Sequence, residues 1–518
     1  MADRQSFSIR LFHNVFFRLI SAVWIKGIGI VAVPYIVHSL GAESYGIYTL
    51  CLLILSYFTF LDLGFGNALV KYFSEYRSVG RHEELEDVVR VTMWMNLVAG
   101  VIGGAMIWAL SGSVLLRLLK IPEANYEMAS AVFKMIAVAF VVSMASGAAG
   151  ATLQALQRFD VLSVIEIISA TISTGGIVAI LLTGGNLFTV VVFYLIMCVL
   201  IAVAFFTTIK VLLPDVSFMP KYSSVMFRKL FFFGIYNVGS RAASLFVFHI
   251  DKFIISALLS VAAVTYYVIP NKLAAIAMQF PIVVMPIIFP AVSELHATGE
   301  HERMRRLFLR GLKYVLILVL PVVLPLTLIP EAVLGIWVGR EFAEGGMLVL
   351  ILLSISHLAA SLTMVPGTLV SGIGRPQVQT FFLFVAGIIN VAACLLLVPR
   401  YGIVGAAWAS VISITISGAG FFIYMQREMR IGFREILGEK FISLIVLAAV
   451  VGVVLRLFRG EITDVASLLA AIFVTGVCFI GLVLLFRVID RDERRLISDY
   501  LALRVKKRQK IDSMNYEL

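Results

Sequence analysis

The stretch from Leu11 to Tyr76 reads LFHNVFFRLISAVWIKGIGIVAVPYIVHSLGAESYGIYTLCLLILSYFTFLDLGFGNALVKYFSEY. It holds two apolar runs joined by a very short link, and about 20 apolar residues in helical form are enough to cross a bilayer core. The stretch therefore predicts a membrane hairpin. Arg18 and Lys26 lie inside the first run, and the second ends on Asp62, Leu63 and Gly64. A charge at bilayer depth costs about 2.5 to 3.5 kcal/mol on insertion scales, so these charged residues are functional candidates from the outset.

The same pattern fills the chain. Its 518 residues are 61% hydrophobic and 14% charged, with a mean hydropathy of +1.00. A water-soluble protein of this size carries far more charge. The fold class expected is an all-α polytopic membrane protein with about 14 transmembrane helices. The spans fall near 13–37, 45–66, 89–110, 130–153, 161–182, 187–211, 231–257, 263–291, 312–335, 346–370, 377–398, 402–425, 441–458 and 465–488. No gap between them exceeds about 20 residues, too little for a folded soluble domain. The N-terminal MADRQSFSIR is basic, but no small-residue cleavage site follows, so the first span is expected to be retained.

The net charge of +11 has an uneven distribution. About 30 of the Lys and Arg residues fall in alternate links and the tails, and only about six on the opposite side, which predicts both termini in the cytoplasm. The basic balance is thereby a matter of topology, with attraction to anionic membrane lipid as a side effect and no nucleic-acid partner. Cys51, Cys198, Cys394 and Cys478 stand singly in apolar runs and read as small hydrophobes. Neither a disulfide nor a metal site is expected of them.

A weak internal repeat relates LGAESYGIY, Leu40 to Tyr48, to LSVAAVTYY, Leu259 to Tyr267, at a shift of about 219 residues. Both lead into a span ending in a charged link, FSEY and VSEL. The expectation is two pseudo-symmetric six-helix lobes related by an axis along the membrane normal, with a cleft between them. Residues 1–220 would hold spans one to six and 221–432 spans seven to twelve. Residues 433–518 would add two extra helices and a basic cytoplasmic tail.

Helical spacing places Asn14, Arg18 and Lys26 on one stripe of span one. Asn237, Arg241, Ser244 and Asp251 or Lys252 make a matching stripe in span seven. Lys272 beside Asn271, and Glu166 with Ser169 and Ser173, add further polar faces. Such stripes on the leading helix of each lobe would line one cationic cavity. The alternatives are structural. Lys134, Lys252 and Arg18 lie where long side chains can snorkel to headgroups, Asp251 can pair with Lys252, and Asp62 can anchor a helix end. Pro281, Pro286, Pro290, Pro321, Pro325 and Pro330 should kink spans eight and nine, and Gly100 with Gly104 permits close helix contact. The chain contains no HExxH, no GxxxxGK[ST], no GxSxG and no Cys/His ligand spacing, so no enzyme activity is expected.

LGAESYGIYTL, FLDLGFGNALVKYFSEY, the fourth-span end LQALQRFD (Leu153 to Asp160) and the link SGIGRPQ (Ser371 to Gln377) together resemble the bacterial polysaccharide exporters of the multidrug/oligosaccharidyl-lipid/polysaccharide (MOP) superfamily, the Wzx-type flippases. The resemblance covers about the first twelve spans, and the last two match fourteen-span members. It implies transfer of an undecaprenyl-diphosphate-linked oligosaccharide from the inner to the outer leaflet of the bacterial cytoplasmic membrane, beside polysaccharide polymerase and glycosyltransferases. The cations Arg18, Lys26, Arg241 and Lys272 would hold the diphosphate. Asn14, Asn237, Tyr236 and Tyr267 would hold sugars. Asp62, Glu166 and Asp251 are the carboxylates available to a coupling H+ or Na+, and no other cofactor is implied. Moving two negative charges outward releases about 4.6 kcal/mol per 100 mV. A lipid II flippase and a cation-coupled multidrug exporter of the same superfamily are the nearest alternatives. A membrane glycosyltransferase fits less well, because the outer links are short.

Overall fold

The computed structural model describes residues 2–214, 216–432, 435 and 440–488, with the side chains of 2–19, 113–115, 235–243, 283, 286 and 287 outside the description. The basic tail expected beyond 488 lies outside the described residues. Among those described there is no β-strand. Among the described residues, ten segments are long and apolar enough to cross a membrane.

The Leu11–Tyr76 stretch forms α1 (Ala2–Phe58), a 3-10 turn (Thr59–Asp62) and α2 (Phe65–Ser78). At 1.5 Å per residue a straight α1 would run about 85 Å, far more than the roughly 30 Å of a bilayer core. It does not run straight, because Gly41 has non-helical angles (φ 75, ψ 165) inside the expected link. Leu63 and Gly64 are also left-handed, so Asp62 sits at a mid-helix break, with α2 continuing the rod for 14 more residues.

Next come α3 (His82–Leu110), the short α4 (Ser113–Leu118), α5 (Tyr126–Ala155), α6 (Phe159–Leu182) and α7 (Leu187–Leu212). α3 packs on α5, α5 on α7, and α1 on α6. Gly100 and Gly104 lie against Met144, Val141 and Ala137 of α5, as the small-residue spacing anticipated.

The expected seventh span is two helices, α8 (Ser224–Phe248) and α9 (Ile250–Leu258), separated at His249 (φ −134, ψ −23). α10 (Val261–Ala274), a 3-10 turn and α11 (Gln279–Ala297) follow. Next are α12 (His301–Leu328), α13 (Pro330–Trp337) and α14 (Arg340–Gly372). Pro330 starts α13 after the break at Ile329, where a missing N–H costs least. α15 (Pro376–Met429) is interrupted at Gly402 (φ 59, ψ −141). Gly405 presses on the carbonyl of Leu397, eight residues back, so the chain reverses there. Last come α16 (Ile442–Leu457) and α17 (Val465–Leu485), which pack on each other and on α12.

Left-handed residues recur at the spacing of the weak sequence repeat. Gly80 and Gly299, like Lys120 and Gly339, stand 219 positions apart, Gly184 and Gly402 218 apart, and Gln157 and Gly374 217 apart. The two segments that define the repeat also touch each other. Thr265 Oγ1 donates to the carbonyl of Ala42 at 2.6 Å, while Gly46, its counterpart, packs on the carbonyl of Val261, the counterpart of Ala42. Contact i to j matched by j to i is the pattern of a two-fold relation.

Candidate functional site

The break between α8 and α9 opens onto a cavity of about 620 Å³, inside the 300–1,000 Å³ range of small-molecule sites. Its polar wall includes Thr59, Asp62, Asn96, Ser143, Ser244 and His249, drawn from α1 with its 3-10 extension, α3, α5 and α8. Phe60 and Phe248 supply aromatic surface. The Asn96 amide, oriented to satisfy both ends, donates to Asp62 Oδ1 at 3.3 Å. The Nδ1 atom of His249 is buried without a hydrogen-bond partner among the described residues. A buried polar atom left unpaired costs free energy, and such atoms mark places where a ligand or water completes the site. Of the described residues on this wall, the one carboxylate is Asp62, and none is Lys or Arg.

Beside the cavity lies a second polar cluster with the opposite character. In an unbroken helix the carbonyl of Phe248 would accept from the amide of residue 252. Here the Lys252 amide donates to Asp251 Oδ1 at 2.9 Å and to the His249 carbonyl at 3.4 Å, and the Lys252 ammonium takes its place, donating to the Phe248 carbonyl at 2.6 Å. The same ammonium lies 2.7 Å from Asp251 Oδ1. Tyr267 donates to Asp251 Oδ2 at 2.6 Å and lies 3.4 Å from Ser410 Oγ. Asn390 Nδ2 reaches Ser410 and Ser413 at 3.5 and 3.4 Å. Asp251 and Lys252 are each 3% exposed and Tyr267 is 0% exposed.

Three of the sequence readings meet in this cluster. Lys252 does not snorkel, because its ammonium is spent inside the protein on the broken helix. Asp251 pairs with Lys252, and its carboxylate is fully engaged in this conformation. Tyr267 is a partner of Asp251 and not part of the cavity wall.

The remaining candidates are spread along the molecule. Lys272 on α10 is exposed and donates to the Tyr45 hydroxyl on α1 at 2.7 Å, bridging the repeat-related helices. Lys26 is exposed on α1. Glu166 on α6 accepts from Ser21 at 3.0 Å, close to where Trp24 donates to Thr171 at 2.8 Å, so it helps to bind α1 to α6. The side chains of Asn14, Arg18, Tyr236, Asn237 and Arg241 lie outside the described residues. Asn96 and His249 were missed from sequence. The signal for both was available: an amide in the middle of span three, and a histidine eight residues beyond Arg241 on the span-seven stripe.

Residues 39–345, more than half of the chain, match the family described as polysaccharide biosynthesis protein. A Shigella flexneri protein assigned as an O-antigen transporter is 23% identical over 384 residues, 73% of this chain and 89% of its own. A Haloferax volcanii protein assigned as a low-salt glycan biosynthesis flippase, Agl15, is 25% identical over 40% of this chain and 44% of its own. Among solved structures, the lipid II flippase MurJ in an inward closed conformation aligns with a TM-score of 0.68. It covers 93% of this chain and 100% of that one at 14% identity. An inward-facing multidrug resistance MATE family transporter of the MOP superfamily aligns with a TM-score of 0.67 over 80% and 94%, at 12% identity. At such identities the likeness is one of fold, while the match over residues 39–345 is one of descent. This multi-pass helical membrane protein thus belongs to the polysaccharide biosynthesis protein family.

Proposed function

We propose that the chain is a flippase that carries undecaprenyl-diphosphate-linked oligosaccharide from the inner to the outer leaflet of the bacterial cytoplasmic membrane. The observation that carries this reading is the polar cavity at the α8/α9 break, walled by α1, α3 and α5 on one side and α8 on the other. Fourteen spans would form two six-helix lobes, residues 1–220 and 221–432, with α16, α17 and the tail as the addition. The recurring left-handed turns and the reciprocal Thr265/Ala42 and Gly46/Val261 contacts favour that division. Both termini would face the cytoplasm, where the charged links collect.

In this scheme Arg18, Lys26, Arg241 and Lys272 give the diphosphate a cationic path, while hydroxyl, amide and aromatic groups around the cavity take the sugars. Alternating access moves the cargo, because two related halves can rock about a shared axis. Asp62 is the carboxylate best placed for coupling to a cation, since it stands on the cavity wall.

The test is surface glycan in cells that depend on this gene. Arg241→Ala, Lys26→Ala and Lys272→Ala should each abolish or severely reduce it while membrane insertion is retained. Normal glycan in all three would remove the cationic path. Flipping of lipid II and not of the oligosaccharide carrier, measured in vesicles, would reassign the cargo.

A further inference from the structure

Where α2 meets α8, at the end of the molecule that carries the charged links, lies a hollow of about 440 Å³ lined by Tyr72, Arg228, Lys229 and Phe233. Lys71 Nζ stands 4.6 Å from the ring centroids of both Tyr72 and Phe233. Lys229 Nζ is 4.4 Å from the Tyr72 centroid and 4.9 Å from that of Tyr76. It also donates to the Tyr76 hydroxyl at 2.7 Å, and this bond holds its pKa above the usual lysine value. Three cations thus gather at one hollow, two of them on a single ring.

Their neighbours show how unusual that is. At the same end Lys221 pairs with Asp87 at 2.9 Å and Arg90 with Glu86 at 3.2 Å. Among the described residues Lys71, Arg228 and Lys229 form no ion pair. Cation–π contact positions an ammonium without cancelling its charge; Glu75 acts on Lys229 only at a distance, with no ion pair between them, so the hollow keeps a surplus of positive charge. Val225 and Phe232 at the same hollow are 79% and 58% exposed, an apolar surface next to the charge.

We infer that Lys71, Arg228 and Lys229 form a loading site for a lipid-linked diphosphate, separate from the cavity. Three unpaired cations match the two or more charges of a diphosphate better than the single charge of a phosphodiester. Val225 and Phe232 take the first part of the prenyl chain. Arg228 and Ser244 are sixteen residues apart on α8, about 24 Å. Between them Gly234 packs on the Leu63 carbonyl so closely that a Cβ would overlap it. Along α8 this contact stands between the loading site and the cavity. The inference rests on the proposed cargo for its ligand.

The experiment is equilibrium binding of farnesyl diphosphate to the full-length chain in phosphatidylcholine nanodiscs. Saturable binding is expected, weakened at least tenfold by the double substitution Lys71→Gln and Lys229→Gln. Lys71→Arg with Lys229→Arg should stay within about threefold of the native chain, and binding should weaken as salt rises. Unchanged binding in the Gln double variant, with its thermal midpoint intact, overturns the site. Displacement by equimolar phosphatidylglycerol also overturns it, in favour of a phospholipid headgroup. The two readings fail separately. Intact glycan export with no farnesyl diphosphate effect sinks the loading site alone, whereas lost export specificity with normal binding sinks only the cargo assignment.

Discussion

The α8/α9 break has a polar cluster on each side of it, and the two solve the problem of charge in an apolar bundle differently. On one side Asp251, Lys252, Tyr267 and Ser410 close on each other, with both oxygens of the carboxylate engaged. On the other, Asp62 and His249 stand on the wall of a 620 Å³ cavity, with Nδ1 of the histidine unpaired. The first cluster is finished, and its physical consequence is rigidity. The second is incomplete, and only an incomplete cluster can take up something from outside. Sequence alone ranked both carboxylates alike; their surroundings separate them.

The sharpest test of that contrast is Lys252→Ala. Removing one partner of a buried pair leaves an uncompensated charge and costs about 3 to 5 kcal/mol. The protein should be recovered poorly, with a clearly lower thermal midpoint in detergent. A matched pair, Asp251→Asn with Lys252→Met, should recover much of that loss, and equal instability of single and double variants would show that the ion pair is not what matters. A smaller stability effect is expected from Gly46→Val, which forces side-chain bulk into the Val261 carbonyl. Overpacking of this kind costs about 1 to 3 kcal/mol and would pry α1 from α10; an unchanged midpoint would mean that the contact is not tight in the membrane. The smallest effect on stability belongs to Asp62→Asn, whose thermal midpoint should stay within about 2 °C of the native value while glycan export falls at least tenfold. Export and stability falling together would erase the difference between the two clusters.

Much of the architecture could be read without coordinates, because hydropathy is a local property and a bilayer filters for it. Lys252 shows where that reading fails. Its position near a span end suggested snorkelling, but the helix breaks at His249, and the ammonium turns inward to the Phe248 carbonyl and to Asp251. Tyr267, offered as a sugar-binding aromatic, shows a contact no local pattern reveals: its hydroxyl donates to Asp251, sixteen residues away on another helix. The repeat itself was faint in residue identities. Left-handed residues recur near its spacing, as Lys120 and Gly339 do, and a turn can conserve such a residue while its neighbours drift.

The amino-acid order by itself determined that this chain lives in a membrane, that it crosses many times, and which residues are too costly there to be accidental. Each of those follows from the free energy of moving single segments out of water. Whether a given charge is sealed or available was decided only by the tertiary structure. That outcome depends on which groups from distant helices arrive within hydrogen-bond reach, a distance that sequence separation does not encode.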